Sequence, residues 1–176
     1  MITGGQRSGK SLFAEKLALS RSDRPCYLAT ARVFDEEFRK RVDVHKARRG
    51  DRWVNLEIPL KVSEAGIGEG DVVLLDCLTL LATNWFFECG EDVKSTVNSV
   101  TAELDALFSR KADVIVVTNE IGLGGVSPNA LQRRFADVQG AVNQWVAERA
   151  SEVYLVVSGI PVKIKSVSYT HLRAHE

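Results

Sequence analysis

Residues 4–11, GGQRSGKS, have the types and the spacing that could hold a phosphate group. They satisfy the template G-x-x-x-x-G-K-[ST], whose backbone amides surround phosphates while its lysine reaches the β- and γ-phosphates and its hydroxyl binds Mg²⁺. The alternative is a glycine-rich turn that contains a lysine and a serine by chance. The apolar start before the stretch and the helical pattern after it favour a phosphate loop. The predicted phosphate-binding residues are Gly4, Gly5, Gln6, Arg7, Ser8, Gly9, Lys10 and Ser11.

A second candidate for chemistry is the basic stretch FRKRVDVHKARRGDRW, residues 38–53. From Arg39 to Arg52 it holds seven basic side chains against two acidic ones, in a chain whose formal net charge is zero. Such local positive charge attracts an anion. His45 lies inside this stretch, where neighbouring cations favour the neutral, nucleophilic imidazole that could attack phosphorus. A solvated helix surface and a nucleic-acid patch are the alternatives.

Asp76 ends the most hydrophobic stretch of the chain, VVLLD. In phosphate-loop proteins, an acid at the end of such a strand holds Mg²⁺ directly or through water. The alternative is that Asp76 caps the following helix, and the two roles are compatible. Asn119 and Glu120 also follow a predicted strand, so we expect them next to the site at the same edge of the sheet.

Helical and strand patterns alternate along the chain, and the strands are nearly continuous apolar runs. This predicts an α/β fold with a mostly parallel sheet and helices on both faces. The predicted strands are residues 1–3, 26–31, 53–58, 72–76, 113–118 and, as the last one, 153–157. The predicted helices are residues 8–20, residues 35–48, a helical region over 78–110 and a helix after Pro128. This last helix places Leu131, Phe135, Val138, Val142 and Trp145 on one face, as expected for the core or a subunit contact.

Length and composition indicate one domain, because 176 residues at 45% hydrophobic content suit a single core. The 23 basic and 23 acidic residues balance, which argues against general binding to nucleic acid or anionic membranes. No apolar run has the length of a membrane span. Three cysteines without metal-ligand spacing, and no signal-peptide core before the loop, lead us to expect a cytoplasmic protein.

Six segments, taken in chain order, identify a known family by resemblance. They are GGQRSGKS at Gly4, YLATA at Tyr27, RVDVHKARR at Arg41, LLDCLTLLATN at Leu74, VTNEIGLGGVSPNALQRRFADVQGAVNQ at Val117 and VVSGIPVKIK at Val156. Together they resemble the adenosylcobinamide kinase / adenosylcobinamide-phosphate guanylyltransferase family of cobalamin biosynthesis. The resemblance runs from Ile2 to Lys165. A phosphate loop occurs in many families, whereas the His45 segment and the blocks that follow Val117 are specific to this one.

The resemblance implies a RecA-like P-loop fold, a homotrimer and two reactions. The first reaction phosphorylates the aminopropanol hydroxyl of adenosylcobinamide with ATP or GTP. The second transfers GMP from GTP to adenosylcobinamide phosphate through a guanylylated histidine, and gives adenosylcobinamide-GDP and pyrophosphate. Mg²⁺ is the expected cofactor, with a role in the kinase reaction.

Carried over by position, the resemblance makes His45 the guanylylated histidine, beside Lys10 as the other catalytic residue. The implied nucleotide-binding residues outside the phosphate loop are Ala29, Thr30, Ala31, Lys46, Ala47, Arg48, Arg49, Glu57 and Asp76. Ser11 and Asp76 are the expected metal ligands.

The resemblance stops after Lys165, so we predict one kinase/guanylyltransferase domain over residues 1–165 and a non-native or disordered tail over residues 166–176. Three alternatives are a RecA-like nucleic-acid-associated ATPase, a plain small-molecule kinase and a non-catalytic nucleotide-binding module. The neutral charge, and the lack of aromatic residues interleaved with basic ones, argue against the first. The second leaves His45 and its basic neighbours without a role.

Overall fold

Seven strands and five helices make up the structure, a computed structural model that describes residues 1–32 and 35–167 apart from the side chain of Arg41. The strands are Ile2–Gly4 (β1), Cys26–Ala29 (β2), Val54–Glu57 (β3), Val72–Asp76 (β4), Asp113–Val117 (β5), Glu152–Val157 (β6) and Ile160–Ser166 (β7). The helices are Lys10–Arg21 (α1), Glu36–Arg49 (α2), Leu78–Glu88 (α3), Val93–Phe108 (α4) and Ala130–Arg149 (α5). Short 3₁₀ turns cover Gly50–Arg52, Val62–Glu64 and Gly122–Gly124.

The strands form one sheet in the order β3-β2-β4-β5-β1-β6-β7. Strands β1 to β6 pair in parallel, and β7 pairs with β6 in the antiparallel direction. Parallel strands need crossover connections. Helices provide them between successive strands except from β3 to β4, where the connection contains only the 3₁₀ turn Val62–Glu64. The predicted α/β fold with a mostly parallel sheet is therefore confirmed.

Two hydrophobic clusters cover the two faces of the sheet. On β4, Val73 and Leu75 join one cluster and Leu74 joins the other, because successive side chains of a strand point to opposite faces. The first cluster contains buried residues of α3, α4 and α5, and the second contains Ala14 and Ala18 of α1. This arrangement confirms the prediction of helices on both faces, and explains why the central strands read as uninterrupted apolar runs.

The predicted apolar face of α5 packs as expected. Val138 and Val142 are fully buried in the larger cluster. Three partly buried residues of the same face, Leu131, Phe135 and Trp145, pack against that cluster. None of the helices in the described part of the chain is both long enough and apolar enough to cross a membrane.

The structure differs from the predicted helix over residues 78–110, which is two helices. Gly90 and Glu91 both have positive φ angles, 61° and 64°, and so cannot continue a right-handed helix. Asp92 then caps α4, since its carboxylate accepts a 2.7 Å hydrogen bond from the amide of Ser95.

The strand predicted over residues 153–157 is β6, but it is not the last strand, because a turn at Ser158 and Gly159 leads into β7. Strand β7 includes Ser166, the first residue of the predicted tail, and the amide of Val167 donates to the Ser151 carbonyl at 2.9 Å. Residues 168–176 of that tail lie outside the described residues.

Candidate active site

The phosphate loop joins β1 to α1 and is built around two glycines. A Cβ atom at Gly4 would lie 2.6 Å from the Val156 carbonyl oxygen and 2.7 Å from Oγ of Ser8. Gly9 has a φ of 92°, and a Cβ there would lie 3.1 Å from the Cα atom of Gly159. Both positions therefore require glycine, for space at Gly4 and for backbone conformation at Gly9. The sequence template correctly locates a tight loop at the carboxyl end of β1.

Lys10 lies at the start of α1 with its ammonium group turned back over the loop. Its Nζ donates a 2.9 Å hydrogen bond to the Gly5 carbonyl, and the residue is buried. Burial lowers the pKa of Lys10, an effect that the nearby Asp76 carboxylate opposes. A cation at this position, beside the positive end of a helix, favours an anion in the loop.

Asp76 lies at the carboxyl end of β4, directly opposite Ala29 in the register with β2. Its Oδ2 atom accepts a 2.5 Å hydrogen bond from the hydroxyl of Tyr27. The residue at the N-cap of α3 is Cys77, and Asp76 does not cap that helix in the described structure. The capping alternative is thus wrong, and the carboxylate faces the same cavity as Ser11.

The basic stretch forms α2, the helix that carries His45. Asp35 caps its start, because Oδ1 accepts a 2.7 Å hydrogen bond from the amide of Phe38. Charges of the proper sign follow at each end: acidic Glu36 and Glu37 in the first turn, and basic Lys46, Arg48 and Arg49 in the last turn.

Two ion pairs fix the last turn of α2 over the sheet. Arg48 Nη2 lies 2.6 Å from Oε1 of Glu15, whose side chain is only 10% exposed. Lys46 Nζ lies 3.6 Å from Oε1 of Glu57 at the end of β3. The two contacts are made to α1 and to β3, so the last turn, next to His45, is positioned between the phosphate loop and the sheet edge.

A cavity of about 240 Å³ lies between α2 and the carboxyl ends of β2, β3 and β4. It brings together eight of the predicted site residues: Ser11, Ala29, Ala31, His45, Lys46, Arg49, Glu57 and Asp76. Its other lining residues are Tyr27, Phe38, Val42, Asn55, Leu56 and Leu80. The lining is apolar along the walls, with a few polar groups, as is usual for a small-molecule site.

A second cavity, of about 780 Å³, lies between the phosphate loop and the outer part of α2. Its lining includes the loop residues Gln6, Arg7, Ser8, Gly9, Lys10 and Ser11, together with Lys40, His45 and Arg48. His45 and Ser11 line both cavities. The imidazole is therefore located where the phosphate loop and the smaller cavity meet.

Other predicted residues have different surroundings. Thr30 is fully buried, and its hydroxyl donates to the Cys77 carbonyl at 2.7 Å and accepts from the Cys77 amide at 3.0 Å. Its side chain joins β2 to the start of α3 and lines neither cavity. Ala47 is exposed on α2 and also lines neither cavity. Glu120 lies beside the loop as expected, since its amide donates to the Gly4 carbonyl at 3.1 Å.

Tyr27 and Asn55 are the polar lining residues that sequence reasoning missed. Asn55 accepts a 3.2 Å hydrogen bond from Nη2 of Arg49. Each lies two residues before a predicted site residue on the same strand, Tyr27 before Ala29 and Asn55 before Glu57. That spacing places them on the same face of the sheet, which is the one signal that could have identified them.

Comparison with known proteins assigns the chain to a family. The profile of the family described as "Cobinamide kinase / cobinamide phosphate guanyltransferase" matches residues 1–164. The Escherichia coli K12 protein named "Bifunctional adenosylcobalamin biosynthesis protein CobU" is 39% identical over 179 residues, covering 94% of this chain and 98% of the relative. The Pseudomonas aeruginosa PAO1 protein with the same description and the name CobP is 39% identical over 168 residues, covering 94% and 96%. The chain belongs to the cobinamide kinase / cobinamide phosphate guanyltransferase family.

Proposed function

We propose that the chain performs both activities of its family: it phosphorylates adenosylcobinamide with ATP or GTP, then transfers GMP from GTP to adenosylcobinamide phosphate through a guanylylated His45. The observation that carries this proposal is the position of His45, which lines both the phosphate-loop cavity and the smaller cavity at the sheet edge. A nucleophile there can reach the α-phosphate of a nucleotide whose outer phosphates lie in the loop.

In the kinase reaction, the acceptor hydroxyl oxygen attacks the γ-phosphorus, the nucleoside diphosphate leaves, and the hydroxyl proton is released. Lys10 and the loop amides stabilise the charge on the transferring group, as expected for a reaction that depends on positioning and electrostatics. In this structure the buried Lys10 ammonium donates a hydrogen bond to the Gly5 carbonyl. With a nucleotide bound, it would donate to a phosphate oxygen instead.

Ser11 and Asp76 would hold the Mg²⁺ ion. Their hydroxyl and carboxylate oxygens line one cavity, and oxygen is the ligand type that this ion prefers. When bound, Mg²⁺ would offset the negative charge of the nucleotide phosphates.

In the transferase reaction, a ring nitrogen of His45 attacks the α-phosphorus of GTP, a phosphorus–nitrogen bond forms, and pyrophosphate leaves. A phosphate oxygen of adenosylcobinamide phosphate then attacks the same phosphorus, which breaks the bond to His45 and forms the diphosphate link. Lys46, Arg48 and Arg49, in the last turn of α2, would offset the negative charge of this step.

The smaller cavity suits a nucleoside base. Its apolar walls include Phe38 and Leu80, while Glu57, Arg49 and Asn55 provide an acceptor and donors at its edge. Guanine presents adjacent donors at N1 and N2 and acceptors at O6 and N7, a set that these groups can match.

We further propose that the enzyme works in the cytoplasm as a homotrimer. Exposed apolar residues on and beside β7 support a subunit contact: Ile160, Val162 and Ile164 are 65%, 49% and 59% exposed. Sedimentation velocity should give about three times the 19.4 kDa chain mass.

His45→Ala tests the covalent mechanism. We expect the variant to form no protein-bound GMP from α-labelled GTP and to have no guanylyltransferase activity, while it keeps measurable kinase activity, because phosphoryl transfer to an alcohol needs no protein nucleophile. Asp43→Ala, an exposed change on the same helix, is the matched control and should keep both activities. The adduct should be acid-labile and comparatively base-stable, as phosphorus–nitrogen bonds are.

Mass spectrometry of the denatured protein decides the site of attachment. Label on the His45→Ala variant, or a label mapped to Lys46, would refute the role of His45. Loss of both activities in a folded variant would instead indicate a shared nucleotide-binding role without covalent catalysis. If the unaltered chain converts neither adenosylcobinamide nor adenosylcobinamide phosphate, the result would favour a non-catalytic nucleotide-binding module.

A further inference from the structure

Tyr27 lies in β2 between the phosphate loop and α2. The residue is 7% exposed and its hydroxyl donates a 2.5 Å hydrogen bond to Oδ2 of Asp76. A phenol carries its proton at neutral pH, so the hydroxyl is the donor in this contact and the carboxylate is the acceptor. One oxygen of the Asp76 carboxylate is thereby fixed, which restricts the rotation of the whole group.

The ring of Tyr27 also supports Arg49. The Cζ atom of Arg49 lies 3.4 Å from the ring centroid, a cation–π contact. Trp53 packs edge-on against the same ring, with 5.8 Å between the centroids, and holds its orientation. Within the described residues, Nε and Nη1 of Arg49 are shielded from solvent and have no hydrogen-bond partner. Buried donors without a partner are costly, so these two are available to an acceptor in the smaller cavity.

We propose that Tyr27 is a positioning residue of the nucleotide site. Its hydroxyl orients the Asp76 carboxylate toward the metal that binds with the nucleotide. Its ring orients the Arg49 guanidinium toward the nucleotide itself. This inference rests on the proposed function, since it takes Asp76 as a metal ligand and Arg49 as a nucleotide ligand. Tyr27 itself would touch neither the metal nor the reacting phosphorus.

The two contacts separate the two effects of Tyr27. The hydroxyl acts on Asp76 alone, so its removal should weaken metal binding and leave Arg49 in place. The ring acts on Arg49, so its removal should also weaken the binding of the nucleotide without metal. Partners that orient a metal ligand typically change metal affinity by 10- to 100-fold when they are removed.

The test uses Tyr27→Phe and Tyr27→Leu, with Tyr154→Phe as the control, because Tyr154 lies on β6 and its hydroxyl contacts Glu152 instead of the site. Mn²⁺ is titrated by electron paramagnetic resonance in the presence of an α,β-methylene analogue of GTP, which cannot release pyrophosphate. Affinity for the same analogue is measured separately in EDTA.

For Tyr27→Phe we expect an increase of about tenfold in the Mn²⁺ dissociation constant, with analogue affinity in EDTA within about twofold of the unaltered chain. Tyr27→Leu should weaken both. In an Asp76→Asn background, Tyr27→Phe should add no further loss of Mn²⁺ affinity, because the hydroxyl acts through that carboxylate. Tyr154→Phe should change neither measurement.

A folded Tyr27→Phe variant with unchanged Mn²⁺ affinity would overturn the proposal, and so would an additive loss in the Asp76→Asn background. In the first case the hydroxyl would be only a structural partner of Asp76, and in the second it would affect metal binding by a route other than that carboxylate. Failure of the proposed function has a different signature: the unaltered chain would then bind no Mn²⁺ with the analogue and acquire no GMP from GTP.

Discussion

Lys10 has two competing partners, the Gly5 carbonyl that it contacts at 2.9 Å and the phosphate that we expect in the loop. Its burial makes the ammonium costly in isolation, as the lowered pKa indicates. An anion in the loop removes part of that cost. The residue is therefore suited to bind a phosphoryl group more strongly as negative charge develops on it.

We expect Lys10→Ala to reduce phosphoryl transfer to adenosylcobinamide by about 10²-fold or more, because a missing cation at a phosphoryl transition state costs several kcal/mol. Lys16→Ala is the matched control, since Lys16 is an exposed lysine of the same helix. The measurement is the initial rate of kinase product formation, with the melting temperature as a check on folding. A Lys10→Ala variant as fast as the Lys16→Ala variant would exclude this loop as the kinase site.

For single residues, the sequence could predict the positions that belong to a recognisable motif. The template located Gly4, Gly9 and Lys10 in a loop whose geometry requires two of them to be glycine. The role of Thr30 could not be predicted in the same way, because its buried hydrogen bonds to Cys77 depend on the pairing of β2 with β4. Tyr27 was missed for the same reason: its contact with Asp76 joins residues 49 positions apart.

Among the elements, α2 is a helix that polar contacts position more than hydrophobic packing does. Its exposed, highly charged surface gives it little hydrophobic burial, so its caps and ion pairs position it. The pairs from Arg48 to Glu15 and from Lys46 to Glu57 both involve the last turn, next to His45. The sequence predicted this helix from residue 35 to residue 48, but it could not predict which partners would orient it.

Strand β7 was absent from the prediction for a physical reason. It contains Pro161, a residue depleted from strands, and lies at the edge of the sheet, where one side has no ladder. The alternation of Val162 and Ile164 with Lys163 and Lys165 is a strand signal, but it covers only four residues after the proline. Pairing with β6 makes these residues a strand. The antiparallel ladder runs from the pair of Glu152 and Ser166 to the pair of Val157 and Ile160.

Two truncations test what β7 contributes. A chain ending at Val167 keeps the ladder and the 2.9 Å bond to Ser151, so we expect a melting temperature within about 2 °C of the full chain, and equal activity. A chain ending at Gly159 loses the ladder and also Lys165, whose Nζ donates to the carbonyls of Ala147 and Glu148 at the end of α5. At about 1 kcal/mol for each lost hydrogen bond, that variant should be destabilised by several kcal/mol.

Thermal unfolding followed by circular dichroism measures both variants. The shorter chain should melt more than about 10 °C below the longer one, since 1 kcal/mol corresponds to about 2–4 °C for a domain of this size. Equal melting temperatures for the two truncated chains would contradict the contribution assigned to β7. A large decrease for the chain ending at Val167 would contradict the predicted tail.

At the scale of the whole molecule, charge is balanced overall and concentrated locally. The chain has 23 basic and 23 acidic residues, yet the last turn of α2 presents Lys46, Arg48 and Arg49 beside the phosphate loop. A nucleic acid binds along an extended basic surface, because it carries many phosphates. A single nucleotide needs only one local cluster of basic side chains. The charge distribution thus favours a mononucleotide over nucleic acid as the ligand.

Ligand-dependent unfolding distinguishes these two ligands. GTP with Mg²⁺, at about 100 times its dissociation constant, should stabilise the protein by about 2.7 kcal/mol, which corresponds to an increase of about 5–10 °C in melting temperature. The His45→Ala variant should keep this increase because binding does not require the nucleophile, and the Lys10→Ala variant should lose most of it. Single-stranded DNA should produce no increase at low salt. An increase with DNA that disappears as salt is added would instead support the nucleic-acid-associated ATPase, because such binding releases counterions and weakens steeply with ionic strength.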